Sequence, residues 1–276
     1  MKSINCKGHL VSLDTPKIMG ILNVTPDSFY DGGKYKDATS ILLQVEKMLT
    51  DGATFVDVGA YSSRPNAPKV SLEEEKQRLL PILELILKEF PNTILSVDTF
   101  RSKVAKAAID VGAAIVNDIS AGNFDATMMQ TVGELGVPYI MMHIQGTPET
   151  MQQNPSYENV VKDILQELSE KVAVARSYKI NDLIIDPGFG FGKTIAHNYS
   201  ILKNLRLFEM LDCPVLAGVS RKSMIYKVLE TSPKEALNGT SILHTIALQN
   251  GASILRVHDV KEAVECVKLL EMVDGF

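Results

Sequence analysis

Polar side chains recur where short apolar runs of the chain end, and their types divide into two chemistries: Asn23, Asp57, Asp98, Asn117, His143, Asp186, the turn at residues 220–222, and Arg256 with His258. Asp98, Asn117 and Asp186 are acceptors. Buried without donors, each would cost roughly 1–3 kcal/mol, more if charged, so the set calls for a ligand that donates. A flat heterocycle with amidine-like N–H edges does so, because a carboxylate accepts two parallel N–H bonds from such an edge, and Lys222 can donate to a ring carbonyl. The cationic half is Arg256, His258 and the turn Ser220-Arg221-Lys222-Ser223. Backbone N–H groups at the helix start after Arg221 and the guanidinium of Arg256 suit an oxyanion, with phosphate or diphosphate as the natural occupant and His258 completing the pocket. The plainer alternatives are that Arg256 pairs with a neighbouring carboxylate, that His258 caps a strand, and that Asp98 caps the helical pattern opening at Ser102. Asp186 has no such helix to cap, since Pro187 and three glycines follow it.

The elements that must position these groups are eight β-branched apolar runs at residues 18–23, 54–58, 94–98, 115–118, 139–143, 183–186, 215–218 and 254–258. Helical patterns lie between them at residues 38–50, 72–88, 102–111, 125–135, 158–178, 197–210, a piece after Arg221, and 261–272. Ser71 with Glu74 and Asp259 with Glu262 have the spacing of capping boxes, and Gly52 and Gly112 stand where a left-handed residue ends a helix. The runs are continuous rather than alternating, as in parallel sheets covered on both faces, and each helix is long enough to return a parallel strand. Eight such units predict a (β/α)8 TIM barrel rather than an open doubly wound sheet. Polar residues gathered at one end of every strand put the site on the barrel mouth. The first ~17 residues fall outside this count and are expected to form a short N-terminal hairpin closing the barrel bottom, within a single domain spanning residues 1–276.

Composition narrows the partners. A net charge of −5 with no basic tail or stripe argues against nucleic acid or an anionic membrane and favours small molecules. Cys6, Cys213 and Cys266 are few, odd in number and far apart, which excludes a disulfide framework and a zinc spacing and suits a reducing cytoplasm. The N-terminus lacks the apolar core of a signal peptide, and no apolar run reaches the ~18 residues needed to span a bilayer. The stretch from Asp186 to Thr194 imitates a P-loop, but Pro187 occupies the place of its first glycine. Lys193 likewise stands where a dinucleotide fingerprint needs a third glycine. The plainer reading is a loop whose glycines let the backbone pass close to a ligand.

Two further loops are too polar and too rich in turn formers to be scaffold. The first is Asn23-Val-Thr-Pro-Asp-Ser-Phe-Tyr-Asp-Gly-Gly33, and the second is Gly59-Ala-Tyr-Ser-Ser-Arg-Pro-Asn66. Such segments can fold over the mouth and exclude water, and Phe29 and Tyr30 suggest contact with a ring-bearing ligand.

Taken in order, Met19-Gly-Ile-Leu-Asn-Val-Thr-Pro-Asp-Ser-Phe29, Ser62-Ser-Arg-Pro65, Ser96-Val-Asp-Thr99, Asn117-Asp-Ile-Ser120, Met142-His-Ile-Gln-Gly-Thr-Pro148, Asp186-Pro-Gly-Phe-Gly-Phe-Gly-Lys193, Ser220-Arg-Lys-Ser223 and Arg256-Val-His258 closely resemble the motifs of bacterial dihydropteroate synthases. The resemblance covers the chain from Ile18 onward. It departs in the second loop, where the family commonly has Glu-Ser-Thr-Arg-Pro-Gly and this chain has Tyr61-Ser-Ser-Arg-Pro-Asn66, and at Tyr30, which replaces the usual serine.

The resemblance implies the joining of 4-aminobenzoate to (7,8-dihydropterin-6-yl)methyl diphosphate in folate biosynthesis, with diphosphate released. By that likeness Asp98, Asn117, Asp186 and Lys222 hold the pterin, Ser63, Arg256 and His258 the diphosphate, and Asn23 a Mg2+ bridging its oxygens. The second substrate lies near Phe29, Pro65 and Lys222, with its carboxylate at Ser223; Arg64 belongs to the same loop as Pro65. Asp27 supports the cation or positions the amine. The resemblance also implies a homodimer, for which apolar stripes around residues 224–229 and 242–247 are candidates if they do not face the barrel. The rival expectations are a pterin-binding methyltransferase on the same barrel, which shares the ring site but needs no diphosphate site, and a pterin-binding module without catalysis.

Overall fold

The computed structural model describes residues 2–24, 34–61 and 70–274. A hairpin opens the chain: β1 (Ser3–Cys6) pairs antiparallel with β2 (His9–Ser12). Its two-residue turn places both Lys7 (φ 52°) and Gly8 (φ 89°) in the left-handed region, the twist that suits a tight hairpin. Eight parallel strands then follow: β3 (Lys17–Asn23), β4 (Phe55–Gly59), β5 (Ile94–Asp98), β6 (Ile115–Asp118), β7 (Tyr139–Met142), β8 (Leu183–Asp186), β9 (Val215–Ala217) and β10 (Ala252–Val257). They close as a barrel when β10 pairs with β3, in chain order throughout. The crossovers are α1 (Lys34–Thr50), α2 (Leu72–Glu89), α3 (Ser102–Val111), α4 (Met128–Leu135), α5 (Val160–Ser177), α6 (Ile195–Lys203), α7 (Ser223–Tyr226) and α8 (Leu237–Gln249), with α9 (Val260–Asp274) after the last strand. The expected (β/α)8 architecture and N-terminal hairpin are both present. No described helix is long and apolar enough to cross a membrane.

Strand pleat explains where the site lies. Successive side chains point to opposite faces, so Met19, Phe55, Ile115, Ile140, Ile184, Leu216 and Ile254 fill the barrel interior and pack on Ile4, Cys6 and Leu13 of the hairpin segment. The intervening Val56, Val58, Val97, Val116 and Ile185 face the helices. Two residues beyond the interior layer, the same inward face carries Asp57, Asn117, Asp186, Gly218 and Arg256. One apolar layer below and a polar layer above make a floor and a pocket.

Several expected boundaries move for local reasons. The helix expected from residue 125 begins at Met128, because the Asp125 carboxylate accepts from the backbone N–H groups of Ser102 and Thr127. The helix expected at residues 197–210 divides at Asn204 into α6 and a 3-10 turn over Leu205–Leu211; the Asn204 amide donates back to Ser200 O at 2.8 Å. The single piece expected after Arg221 is α7, a 3-10 turn at Pro233–Glu235, and then α8. Ser71 caps α2, accepting from Glu74 N–H, but the Glu74 carboxylate binds Arg78 and the expected box is only half formed. Asp259 is engaged elsewhere: Arg221 binds both its carboxylate oxygens.

Candidate active site

Gly59 pairs with Asp98, and Asp98 with Asn117, across β4, β5 and β6, so Asp57 lies one pleat deeper, level with Ser96. Arg256, reaching over from β10, ties these strands together. Its Nε donates to Asp57 Oδ2 at 2.6 Å and a terminal nitrogen donates to Asp98 Oδ2 at 2.8 Å, while Asn117 Nδ2 donates to the same Asp57 oxygen at 3.0 Å. Asp57 Oδ1 is buried and has no partner among the described residues. Cations and acids therefore interleave, whereas the residue types alone divide them into an acceptor half and a cationic half. Burial raises the Asp98 carboxyl well above its usual range, Arg256 opposing and Asp57 reinforcing that rise. The same two acids hold Arg256 charged, against its burial. Asp98 does not cap α3, whose N-cap is Arg101.

On the other side Asp186 accepts from Gly188 N–H at 2.7 Å through Oδ1. Burial raises its carboxyl, and Lys222 is the strongest of the groups pulling it back. Lys222 donates to Phe189 O, lies 4.9 Å from the Phe191 ring centroid, and is pushed down to about 8 by burial, against the pull of Asp186. A methyl group on Gly218 would meet Lys222 Nζ at 3.7 Å and Asp186 Oδ2 at 4.0 Å, so this glycine leaves open the space between the two charges.

Arg221 and Lys222 point opposite ways because Arg221 has a φ of 52°. That left-handed backbone is held by Arg221 N–H donating to Thr240 Oγ1 at 3.0 Å, by the paired bonds to Asp259, and by guanidinium bonds to Pro233 O and Lys234 O. The Arg221 side chain thus belongs to scaffold, and the expected convergence of the whole turn on one anion reduces to Lys222 at its side. The helix start beyond it is a single turn, α7. His258 sits at the mouth, its backbone N–H donating to Ser220 Oγ at 3.2 Å. Though exposed by area, its ring is crowded: partial desolvation and then Arg256 push the imidazole down to about 4, which makes it neutral at pH 7.

Asn23 is the exposed last residue of β3. Asp27, Phe29, Ser63, Arg64 and Pro65 lie outside the described residues. Ser223 opens α7 directly after Lys222. His143, named among the rim residues, belongs to the outer face, where it contacts Lys193 and Glu167. The glycines after Asp186 make room for backbone more than for a ligand, since a Cβ on Gly188 would lie 1.9 Å from His143 O and one on Gly192 2.6 Å from Gln145 O. Asp57 was visible at a strand end without an assigned role. The signal that finds it is pleat parity with Phe55.

Fold and site define an α/β-barrel enzyme whose mouth combines incompletely paired acids with two partly buried cations, a site for a flat, polar small molecule. The family model described as pterin binding enzyme matches residues 19–258. The chain is 44% identical over 261 residues to the dihydropteroate synthase of Haemophilus influenzae, covering 94% of each. Among solved structures it matches a Yersinia pestis dihydropteroate synthase in complex with a sulfonamide drug (TM-score 0.93, 38% identity, 100% of both chains). It also matches a Xanthomonas albilineans dihydropteroate synthase in complex with 7,8-dihydropteroate (TM-score 0.89, 34% identity, 100% of both chains). The chain belongs to the dihydropteroate synthase family of pterin-binding enzymes, transferases of folate synthesis.

Proposed function

We propose that the chain joins 4-aminobenzoate to (7,8-dihydropterin-6-yl)methyl diphosphate, giving 7,8-dihydropteroate and diphosphate by dissociative substitution. The observation that carries this reading is the incomplete pairing at the mouth: among the described residues Asp57 Oδ1 lacks a partner and Asp186 has a single short bond, beside Lys222 and Arg256. Acceptors next to a donor suit the amino-pyrimidinone edge and carbonyl of a pterin. The Xanthomonas relative, which holds 7,8-dihydropteroate, supports the same product here.

In this mechanism Asp98, Asn117, Asp186 and Lys222 orient the pterin. As the carbon–oxygen bond breaks, the electron pair leaves with diphosphate, received by Arg256, neutral His258 and Ser63. Asp98 and Asp186 stabilise the positive charge left on the pterin and its exocyclic methylene. The neutral amine of 4-aminobenzoate, placed by Phe29, Arg64, Pro65, Lys222 and Ser223, then forms the carbon–nitrogen bond and releases a proton, with Asp27 positioning the amine. An amide oxygen such as that of Asn23, exposed where β3 ends, fits Mg2+, which keeps much of its hydration and needs few protein ligands. When bound, the metal supplies charge neutralisation for the diphosphate oxygens.

The reading further makes the chain a single-domain cytoplasmic homodimer. Its three cysteines are free and buried, as a reducing compartment allows. Val228, Leu229 and Ile242 are each more than half exposed, beside Leu269 and Met272 on α9, which leaves an apolar face for a second copy. The deciding experiment incubates purified protein with both substrates and Mg2+ and follows dihydropteroate and diphosphate in parallel. Equal amounts of both, lost on chelating the metal, are expected. Diphosphate without dihydropteroate would overturn the aminobenzoate half, and pterin binding with neither product would favour a binding module.

A further inference from the structure

Lys193 is 3% exposed and plays no part in the mechanism above. Its ammonium donates to Phe191 O at 2.8 Å and His143 O at 3.3 Å, and lies 2.9 Å from His143 Nδ1. With a charged lysine as donor, Nδ1 must accept, so the other ring nitrogen carries the proton and faces Glu167 Oε2 at 3.3 Å. The chain of groups runs from the interior to the surface, where Glu167 is 38% exposed. It joins the loop after β7 to the glycine-rich loop after β8. The two lysines hold the latter from opposite sides: Lys222 binds Phe189 O from the pocket, and Lys193 binds Phe191 O from behind. The adjoining carbonyls are also taken, Gly190 O, between those two, by Gln152 and Gly192 O, just beyond them, by Tyr157. Asp186 starts this loop and lies within electrostatic range of Lys193.

We propose that Lys193 is a positioning residue for the pterin half of the reaction, clamping the glycine-rich loop from behind and supplying Asp186 with positive charge on the side away from the ligand, while His143 and Glu167 hold Lys193 in place. This rests on the pterin reading above. Charged or titratable groups face Lys193 from every element around it: Asp186 on β8, His143 beyond β7, Glu167 on α5, Lys222 beyond β9 and His197 on α6. Burial pushes Lys193 down to about 7, with Asp186 the main group pulling it back. Its charge is therefore present on the acid side of neutrality, where a raised Asp186 is most prone to protonation.

The test measures equilibrium binding of 6-hydroxymethyl-7,8-dihydropterin between about pH 5 and 9, with kinetics for both substrates, on the parent, Lys193→Met and Glu167→Gln. Lys193→Met is expected to weaken pterin at least about tenfold near pH 6, to move the acid limb of binding up by roughly half a unit or more, and to leave KM for 4-aminobenzoate within about threefold. Glu167→Gln, on the half-exposed outer link, is expected to act in the same direction by about two- to threefold. Parental affinity and a parental acid limb in the variants, whatever their melting temperatures, would overturn the proposal, as would a loss equal at every pH. If Lys193→Met does not fold, Glu167→Gln decides alone. A parent that binds no pterin sinks the functional reading and this proposal together, whereas a binding parent with unaltered variants sinks only the proposal.

Discussion

Asn117 and Asp118 are chain neighbours on β6, and the pleat turns them to opposite faces of the barrel wall. Asp118 faces the helices, fully buried, and its two oxygens receive four bonds: from Ser120 N–H and O–H at 2.8 Å each, from Gly122 N–H at 2.7 Å, and from the Tyr139 hydroxyl at 2.7 Å. Asn117 faces the interior, where Asp57 has one oxygen doubly bound and the other without a partner among the described residues. Burial raises the carboxyls of both Asp118 and Asp186. A raised carboxyl therefore does not separate scaffold from site here. Saturation does, because an acceptor whose lone pairs are all met has nothing left to offer a ligand.

Exchanging the same atoms in the two regions tests this most severely. Asp186→Asn keeps an oxygen for Gly188 N–H but replaces the pocket-facing oxygen with a donor, so kcat/KM is expected to fall at least about a hundredfold, with stability within about 1 kcal/mol of the parent. Asp118→Asn should do the reverse. The Tyr139 hydroxyl can turn to accept, but the backbone N–H of Gly122 cannot, and one orphaned buried donor costs about 1–3 kcal/mol. Denaturant unfolding and steady-state kinetics on the pair check both; equal losses of activity would remove the distinction.

A pH series sharpens it. As pH rises through about 8, Lys222 loses its charge, and kcat/KM is expected to decline. The sign for stability is opposite: the unfolded lysine, with its ordinary value of 10.5, holds its proton longer than the folded one, so this group's contribution rises between about 8 and 10.5. Activity falling while unfolding resistance is maintained over that window, with the limb removed in Lys222→Met, is the expected result.

How much of this the sequence disclosed follows from the range of the interactions. Strand ends and acceptor types are local, so the barrel and the placement of the acceptors Asp98, Asn117 and Asp186 at its polar rim could be stated from the chain alone. Asp57 escaped because counting from strand ends does not measure depth, which the register across β4 and β5 decides. Arg221 escaped because two adjacent cations look equivalent until a contact with Asp259, 38 positions away, fixes one of them with positive φ. His143 likewise needed the parity of β7 to be placed outside.

Gly218 offers a smaller perturbation confined to the pocket. Its backbone lies outside the left-handed region and a Cβ would make only ordinary contacts, nearest Lys222 Nζ at 3.7 Å, so Gly218→Ala should fold with a melting temperature close to the parent. The methyl group nevertheless enters the space between Lys222 and Asp186. KM for the pterin diphosphate is expected to rise about tenfold with little change for 4-aminobenzoate, a split that a change on the outer face near Asp118 would not produce.

The smallest expected signal is also the most local. Partial desolvation, then Arg256 and more weakly Arg221 and Lys222, hold the His258 ring near 4, while Asp259 pulls the other way. A diphosphate seated beside Arg256 would bring negative charge to that ring and raise its value by about one unit or more. His244, buried on α8 and also held near 4 by desolvation, lies on the helix layer and should not move. NMR titration of both imidazoles with and without inorganic diphosphate therefore contains its own control. A shift at His258 alone places the anion at the mouth; a shift at neither would move the diphosphate away from Arg256, and a shift at both would point to a change of fold rather than to binding.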